Sequence, residues 1–214
     1  MKRKDFLQSV LGASAFFGLP FTVLGADNTT IQDLINNTKR DVNGSMFGFA
    51  TAPIQKVRVG IIGLGNRGNT LLEMLQYLVE NEMAEVIALS DIKADKVTKS
   101  AEKLAVWQSK KPTLYYKSAT EWKKLAQRDD IDLVIIATPW DLHSPMAIYC
   151  MENGKHVGSE VPIASTIEDC WKLIETAERT KKHCMMMENC NYDEEELWVL
   201  NMIQEGVFGD ITHT

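Results

Sequence analysis

The chain has 214 residues, of which 45% are hydrophobic and 24% charged, and its formal net charge is −6. This composition is typical of an ordinary globular protein and excludes a disordered chain, a collagen-like repeat and a disulfide-stapled miniprotein. An acidic chain without a basic patch also argues against nucleic acid as a partner. The cysteines show no Cys-x-x-Cys spacing, so we interpret them as scattered buried thiols and expect no metal site.

The first 26 residues have the anatomy of an export signal. Basic residues 2–4 precede an apolar stretch over residues 6–24, which polar residues interrupt too often for a stable membrane anchor. The segment resembles a twin-arginine signal except for Lys4, so twin-arginine and Sec export both stay open. Either route predicts a periplasmic or extracellular protein. Residues 27–55 are polar and irregular, and we interpret them as a leader arm.

A glycine-rich motif follows the first predicted strand. Residues 56–62 form a short β-branched run, which is typical of a buried parallel strand. Gly63, Gly65 and Gly68 come directly after it as G-x-G-x-x-G, and residues 70–80 then show a helical apolar period. In a dinucleotide-binding unit these glycines allow the tight turn, the approach of the pyrophosphate and the close packing of the helix on the strand.

The second predicted strand, residues 85–91, supplies the acid that such a unit requires. Asp91 at its end would accept hydrogen bonds from the adenosine ribose hydroxyls. A carboxylate there would repel the extra phosphate of NADP, so NAD is the expected cofactor, although Lys93 keeps NADP as an alternative. A Rossmann-like turn that binds no nucleotide is the purely structural alternative.

Strands and helices continue to alternate along the chain. Further strands are predicted at residues 113–116, 132–137, 155–160 and 183–188. Further helices are predicted at residues 93–106, 120–128, 145–153, 167–180 and 193–204. The alternation predicts an α/β fold over residues 56–206, a doubly wound parallel Rossmann sheet of about six strands. The loops that follow the strands should gather at one edge of that sheet, where ligands bind.

Several segments on that edge resemble a known family. They are Gly65-Asn66-Arg67-Gly68, residues 138–147 (TPWDLHSPMA), residues 154–156 (GKH), residues 160–162 (EVP) and residues 183–192 (HCMMMENCNY). Together they resemble the Gfo/Idh/MocA oxidoreductases and, within them, glycoside hydrolase family 109, the NAD-dependent α-N-acetylgalactosaminidases. The resemblance runs from about residue 56 to the end of the chain.

The resemblance implies a set of cofactor-binding residues in addition to the three glycines. Carried over position by position, they are Asn66, Arg67, Asp91, Trp140, Asp141, Leu142, His143, Glu160, Val161 and Asn189. A packing role for Trp140 and a strand-end cap for Asn189 are the structural alternatives. The family's sugar dehydrogenases have Lys in Glu-Lys-Pro, where it assists proton transfer, whereas Val161 cannot carry a proton and Glu-Val-Pro is the form of the hydrolases. No residue is assigned as catalytic.

The family mechanism implies a hydrolysis with internal redox chemistry. Hydride transfer from the sugar C3 to NAD⁺ acidifies the C2 hydrogen, elimination across C1 and C2 releases the aglycone, water adds at C1, and the hydride returns to C3. The expected partner is a terminal α-N-acetylgalactosaminyl glycan or a related sugar. The alternatives are an NAD(P)-dependent sugar dehydrogenase and a non-catalytic NAD-binding fragment.

The last residues, 207–214, resemble the start of the second, α+β domain of that family. We therefore expect this chain to be an N-terminal portion, truncated before the domain that supplies most of the sugar-facing wall. The 214-residue form is expected to be inactive or very weak. The oligomeric state stays open.

Overall fold

The computed structural model describes residue 46 and residues 48–190 and 193–210. The predicted export signal, most of the predicted leader arm and residues 211–214 lie outside the described residues. The proposed domain limits and the export of the protein therefore stay predictions.

One parallel sheet organises the part of the chain that the structure describes. Its strands are β1 (Val57–Ile62), β2 (Ala84–Ser90), β3 (Thr113–Tyr115), β4 (Leu133–Ile136), β5 (His156–Ser159) and β6 (Cys184–Met186). The six strands are ordered β3-β2-β1-β4-β5-β6, and every neighbouring pair is parallel. This is the order of the doubly wound dinucleotide-binding fold, in which the chain reverses direction across the sheet between β1 and β4. The predicted fold class is confirmed.

Helices connect the strands and cover both faces of the sheet. They are α1 (Asn66–Met74), α2 (Gln76–Glu80), α3 (Ala94–Leu104), α4 (Trp122–Ala126), α5 (Trp140–Glu152), α6 (Ile167–Thr180) and α7 (Glu194–Gln204). Because successive side chains of a strand point to opposite faces, Ile61 packs with Leu72 of α1 on one side, and Ile62 packs with Met151 of α5 on the other. The two apolar layers cover the faces of the sheet and leave its carboxyl edge to the loops.

Two helices begin earlier than the sequence predicted. The first begins at Asn66, inside the glycine motif, rather than at residue 70. The helix after β4 begins at Trp140, directly after Pro139. Pro145, which the prediction placed at the helix start, lies inside this helix. The segment from Trp140 to His143, expected in a loop, is therefore the first turn of a helix.

The cysteines are all free, but they are not all buried. Burial raises the pKa of the Cys150 thiol to about 12 and that of half-buried Cys184 to about 11. Cys170 on α6 and Cys190 in the loop after β6 are exposed, so the prediction of buried thiols is wrong for these two. Within residues 48–190 and 193–210 no helix has the length and apolarity of a membrane span, and no group of three His, Cys, Asp or Glu could hold a metal ion.

Candidate cofactor site

The turn after β1 is built around two glycines that the protein itself requires. Gly63 has φ +90°, and a Cβ there would lie 2.5 Å from the carbonyl oxygen of Ala137. Its N–H donates to the carbonyl of Ser90 at 2.8 Å, which fixes the turn against β2. A Cβ at Gly68 would overlap the Gly63 carbonyl oxygen, so only glycine lets α1 pack directly on the turn.

Gly65 differs because nothing in the part of the chain that the structure describes requires a glycine there. Its φ is −69°, which any residue adopts, and the atom nearest to a built Cβ is Lys96 Nζ at 3.7 Å. The backbone N–H groups of Asn66 and Arg67 have no acceptor among the described residues. They open the first turn of α1, where the helix dipole also favours an anion. A space beside Gly65 with free donors at a helix N-terminus suits a pyrophosphate.

Asp91 and Asn69 hold this turn from both sides. The Asp91 carboxylate accepts from the N–H of Leu64 at 2.8 Å and from the N–H of Lys93 at 2.9 Å. Each carboxylate oxygen keeps a second lone pair, so Asp91 can still accept from a ribose hydroxyl. The Asn69 amide donates to the carbonyls of Leu64 and Gly65 at 2.8 and 3.0 Å, and it accepts from the Ser100 hydroxyl at 2.9 Å.

Arg67 joins the ends of three strands. Its Nε donates to Glu160 Oε1 and its Nη2 donates to Asn189 Oδ1, each at 2.6 Å. Glu160, which follows β5, is only 7% exposed, so the guanidinium compensates a carboxylate that has little water around it. Three residues that the resemblance implied separately, far apart in the sequence, thus form one hydrogen-bonded cluster.

His143 lies between two loops at this edge of the sheet. The residue is only 1% exposed. One ring nitrogen lies 2.8 Å from the carbonyl oxygen of Pro162 and the other lies 2.7 Å from that of Thr138. His143 therefore connects the loop after β4 to the loop after β5.

A cleft of about 650 Å³ opens at this edge. Of the candidate residues, it is lined by Gly63, Gly65, Asn66, Arg67, Asp91 and Leu142. Trp140 is 67% exposed on the first turn of α5, and Asp141 beside it is exposed as well. Val161 is half-buried next to Glu160. The volume is in the range of a small-molecule or cofactor site.

Two residues at this site, Asn69 and Lys96, were not predicted from the sequence. Neither belongs to the glycine motif or to the other resembling segments. Asn69 offered a weak signal, since asparagine in a first helical turn often bonds to nearby backbone. Lys96 lines the cleft from α3 and had no signal, because only the packing of α3 on α1 brings it to Gly65.

These features define a Rossmann domain that binds a dinucleotide at the carboxyl edge of its sheet. A family model described as "Oxidoreductase family, NAD-binding Rossmann fold" matches residues 57–188. The chain belongs to this family, the Gfo/Idh/MocA oxidoreductases, and NAD is the cofactor of its Rossmann domain.

Curated relatives support the narrower resemblance. The chain is 41% identical over 211 residues to a "Glycosyl hydrolase family 109 protein 1" of Shewanella sp., a match that covers 99% of this chain. It is 49% identical over 168 residues to an "Alpha-N-acetylgalactosaminidase" of Bacteroides fragilis, covering 78% of this chain and 39% of that protein. The chain spans 44% of the length of the Shewanella relative.

A solved structure is similar in fold. It is a WlbA dehydrogenase from Chromobacterium violaceum in complex with NADH and UDP-GlcNAcA, with TM-score 0.63 and 26% sequence identity. The match covers 75% of this chain and 44% of that chain.

Proposed function

We propose that this chain is the NAD-binding part of a glycosidase similar to the α-N-acetylgalactosaminidases, which hydrolyses a terminal α-N-acetylgalactosaminide with no net consumption of NAD. The observation that carries the proposal is the 49% identity over 168 residues to a protein of that name. Val161 supports it, because the position where the resembling sugar dehydrogenases have a proton-carrying lysine is apolar in this chain.

The residues of this chain would bind and orient the cofactor. Donors at the start of α1 would hold the pyrophosphate, and Asp91 would accept from the adenosine ribose. Glu160 and Asn189, held together by Arg67, would border the nicotinamide end, where β5 and β6 end. When bound there, NAD supplies a hydride acceptor and donor for the sugar.

Proton transfer at the sugar is a separate requirement. Val161 has no group that can accept or release a proton, and the His143 ring is buried between two carbonyl oxygens. Neither side chain meets the geometric requirement for a general base, which is to reach the proton that it removes. The base is therefore expected elsewhere than at these two positions.

A sugar dehydrogenase is the second candidate. The solved dehydrogenase with TM-score 0.63 supports it, since its complex contains NADH and a sugar nucleotide. Such an enzyme would consume free NAD⁺ in proportion to product. The hydrolase would not, because the hydride returns to the sugar in each cycle.

The test is an assay of the full natural protein that contains this chain. We expect release of p-nitrophenol from p-nitrophenyl α-N-acetylgalactosaminide without added nucleotide, together with NAD recovered after denaturation of the purified protein. The matched control is the corresponding α-N-acetylglucosaminide, which differs only at C4. Net NADH formation from free sugars without hydrolysis would establish the dehydrogenase instead. Bound NAD with neither reaction would show a non-catalytic NAD-binding protein.

A further inference from the structure

A lysine on α3 lies beside the glycine-rich turn without belonging to any motif. Lys96 is the third residue of that helix, and its Nζ lies 3.7 Å from the position that a Cβ on Gly65 would take. Lys96 lines the same cleft as Gly65 and Asp91. Its ammonium therefore stands at the place where the turn leaves room for a ligand.

The packing of α3 on α1 determines the position of Lys96. Residues 96, 100 and 103 are spaced by four and three residues, so they share one face of α3. The Ser100 hydroxyl on that face donates to Asn69 at 2.9 Å, and Lys103 forms a salt bridge of 2.7 Å with Glu73 of α1. The face that is fixed to α1 at these two points continues to Lys96, which reaches the turn itself.

Lys96 differs from Lys103 in how its charge is paired. Among the residues that the structure describes, it forms no salt bridge, whereas Lys103 on the same face does. A cation in the first turn of α3 also opposes the dipole of that helix, and the N-terminus of α1 beside it adds more positive potential. A phosphate between the two helix ends would pair with the ammonium and would also interact favourably with the dipoles of both helices.

We propose that Lys96 is a phosphate-binding residue of the dinucleotide site, whose ammonium contacts a phosphate oxygen of the bound cofactor. The pyrophosphate, present in both NAD and NADP, is the expected source, because Gly65 is the position of closest approach in this motif. The 2′-phosphate of NADP is the other source of the same chemistry. The proposal is independent of which reaction the protein catalyses.

The test measures nucleotide dissociation constants by calorimetry on nucleotide-free protein. Lys96→Ala should weaken NAD and NADP by the same factor, roughly tenfold, as expected for a charge-assisted contact at a partly exposed site. The loss should shrink as salt is added, because added ions screen the ammonium. The thermal midpoint of the nucleotide-free protein should not fall, since Lys96 forms no salt bridge with any residue that the structure describes.

Two control variants separate a phosphate contact from a general effect of charge and from an effect of loosened helix packing. Lys99→Ala removes the same charge from the same helix at a position that does not line the cleft. Lys103→Ala breaks the salt bridge between α3 and α1 and so tests whether loose helix packing alone weakens binding.

Weakening of NADP binding alone would keep Lys96 as a phosphate ligand and identify the 2′-phosphate as the source. Unchanged affinity for both nucleotides, or an equal loss in either control, would overturn the proposal.

Discussion

The two edges of the sheet use charged residues in opposite ways. At the amino edge, where the strands begin, Arg58 and Asp132 satisfy each other. Arg58 donates to Asp132 through Nε at 2.9 Å and Nη2 at 2.6 Å, and the Arg58 backbone N–H donates to the same carboxylate. This pairing lowers the pKa of Asp132, with the hydrogen bond from Arg58 as the main cause, and it joins the start of β1 to the start of β4.

The carboxyl edge leaves donors and charges available for a ligand. The first N–H groups of α1 have no acceptor in the described chain, and the Lys96 ammonium has no carboxylate partner there. Arg67 is bonded to Glu160, yet it still lines the cleft. A dense cluster of charges is therefore not itself the sign of a binding site. The informative feature is a set of hydrogen-bond donors and charges beside an open cleft that have no partner among the described residues.

The largest effect is expected at Gly68, where the cofactor edge depends on the fold itself. Gly68→Ala would place a Cβ on the Gly63 carbonyl oxygen, a backbone atom that cannot move without opening the turn. We expect a loss of unfolding free energy of about 3 kcal/mol, measured by urea denaturation, and no detectable NAD binding.

Gly65→Ala is the matched control for that variant. Its Cβ meets no protein atom closer than 3.7 Å, so we expect stability to change by less than about 1 kcal/mol. NAD should nevertheless bind roughly a hundredfold more weakly, because the methyl group would stand where the pyrophosphate approaches. If Gly65→Ala bound NAD normally, the pyrophosphate could not lie against this turn.

The Arg67 cluster should contribute to the stability of this edge. Arg67→Met keeps the length of the side chain but leaves Glu160 with no cation, and we expect a loss of about 2 kcal/mol in unfolding free energy. Glu160→Gln removes that buried charge, so the double variant should recover part of the loss. Strictly additive losses in urea denaturation would show that the two residues act independently.

At the amino edge, stability should change without any change in cofactor affinity. Asp132→Asn removes the charge that accepts from Arg58, and we expect a loss of about 1–2 kcal/mol at neutral pH with the NAD dissociation constant unaltered. Asp130→Asn is the control, since Asp130 pairs with Arg128 at the surface and should contribute less than about 1 kcal/mol. Weaker NAD binding in Asp132→Asn would mean that the two edges are coupled.

The fold was predictable because its signals are local. Apolar β-branched runs, helical periods and the glycine triplet each act within a few residues, and together they predicted the strands that the structure contains. The start of α5 was not predictable, since Pro139 and Pro145 both suit the first turn of a helix and only tertiary packing decides between them.

The candidate site residues came from the glycine motif and from the family resemblance, neither of which states how the side chains contact one another. Arg67, Glu160 and Asn189 came from the resemblance, and nothing in the sequence showed that one guanidinium bonds to the other two side chains. The burial of His143 was equally hidden, because its two carbonyl partners are backbone atoms with no sequence signature. Such contacts depend on the conformation of the loops, for which the sequence contains no local signal.

The smallest expected effect is a loss of stability in mild acid, caused by the protonation of His156. Its Nδ1 accepts the backbone N–H of His183 at 3.0 Å, so this bond requires the unprotonated nitrogen. Burial, with Lys182 and His183 nearby, lowers the pKa of His156 despite Asp132. The unfolded chain therefore binds the proton more readily. The contribution of His156 to the free energy of unfolding is fully present above about pH 6.5, the pKa of an unperturbed histidine. This contribution is lost as the pH falls toward the folded-state pKa.

Urea midpoints measured from pH 8 to pH 5 test this prediction. His156→Gln removes the titrating group while keeping a side chain that can accept from the His183 N–H, so its midpoint should fall less steeply with acid than that of the natural protein. NAD affinity at pH 8 should be the same in both, because His156 lies at the amino edge, away from the cleft. Equal slopes would show that protonation of His156 does not destabilise this edge, whereas a change in NAD affinity would contradict the separation between the two edges.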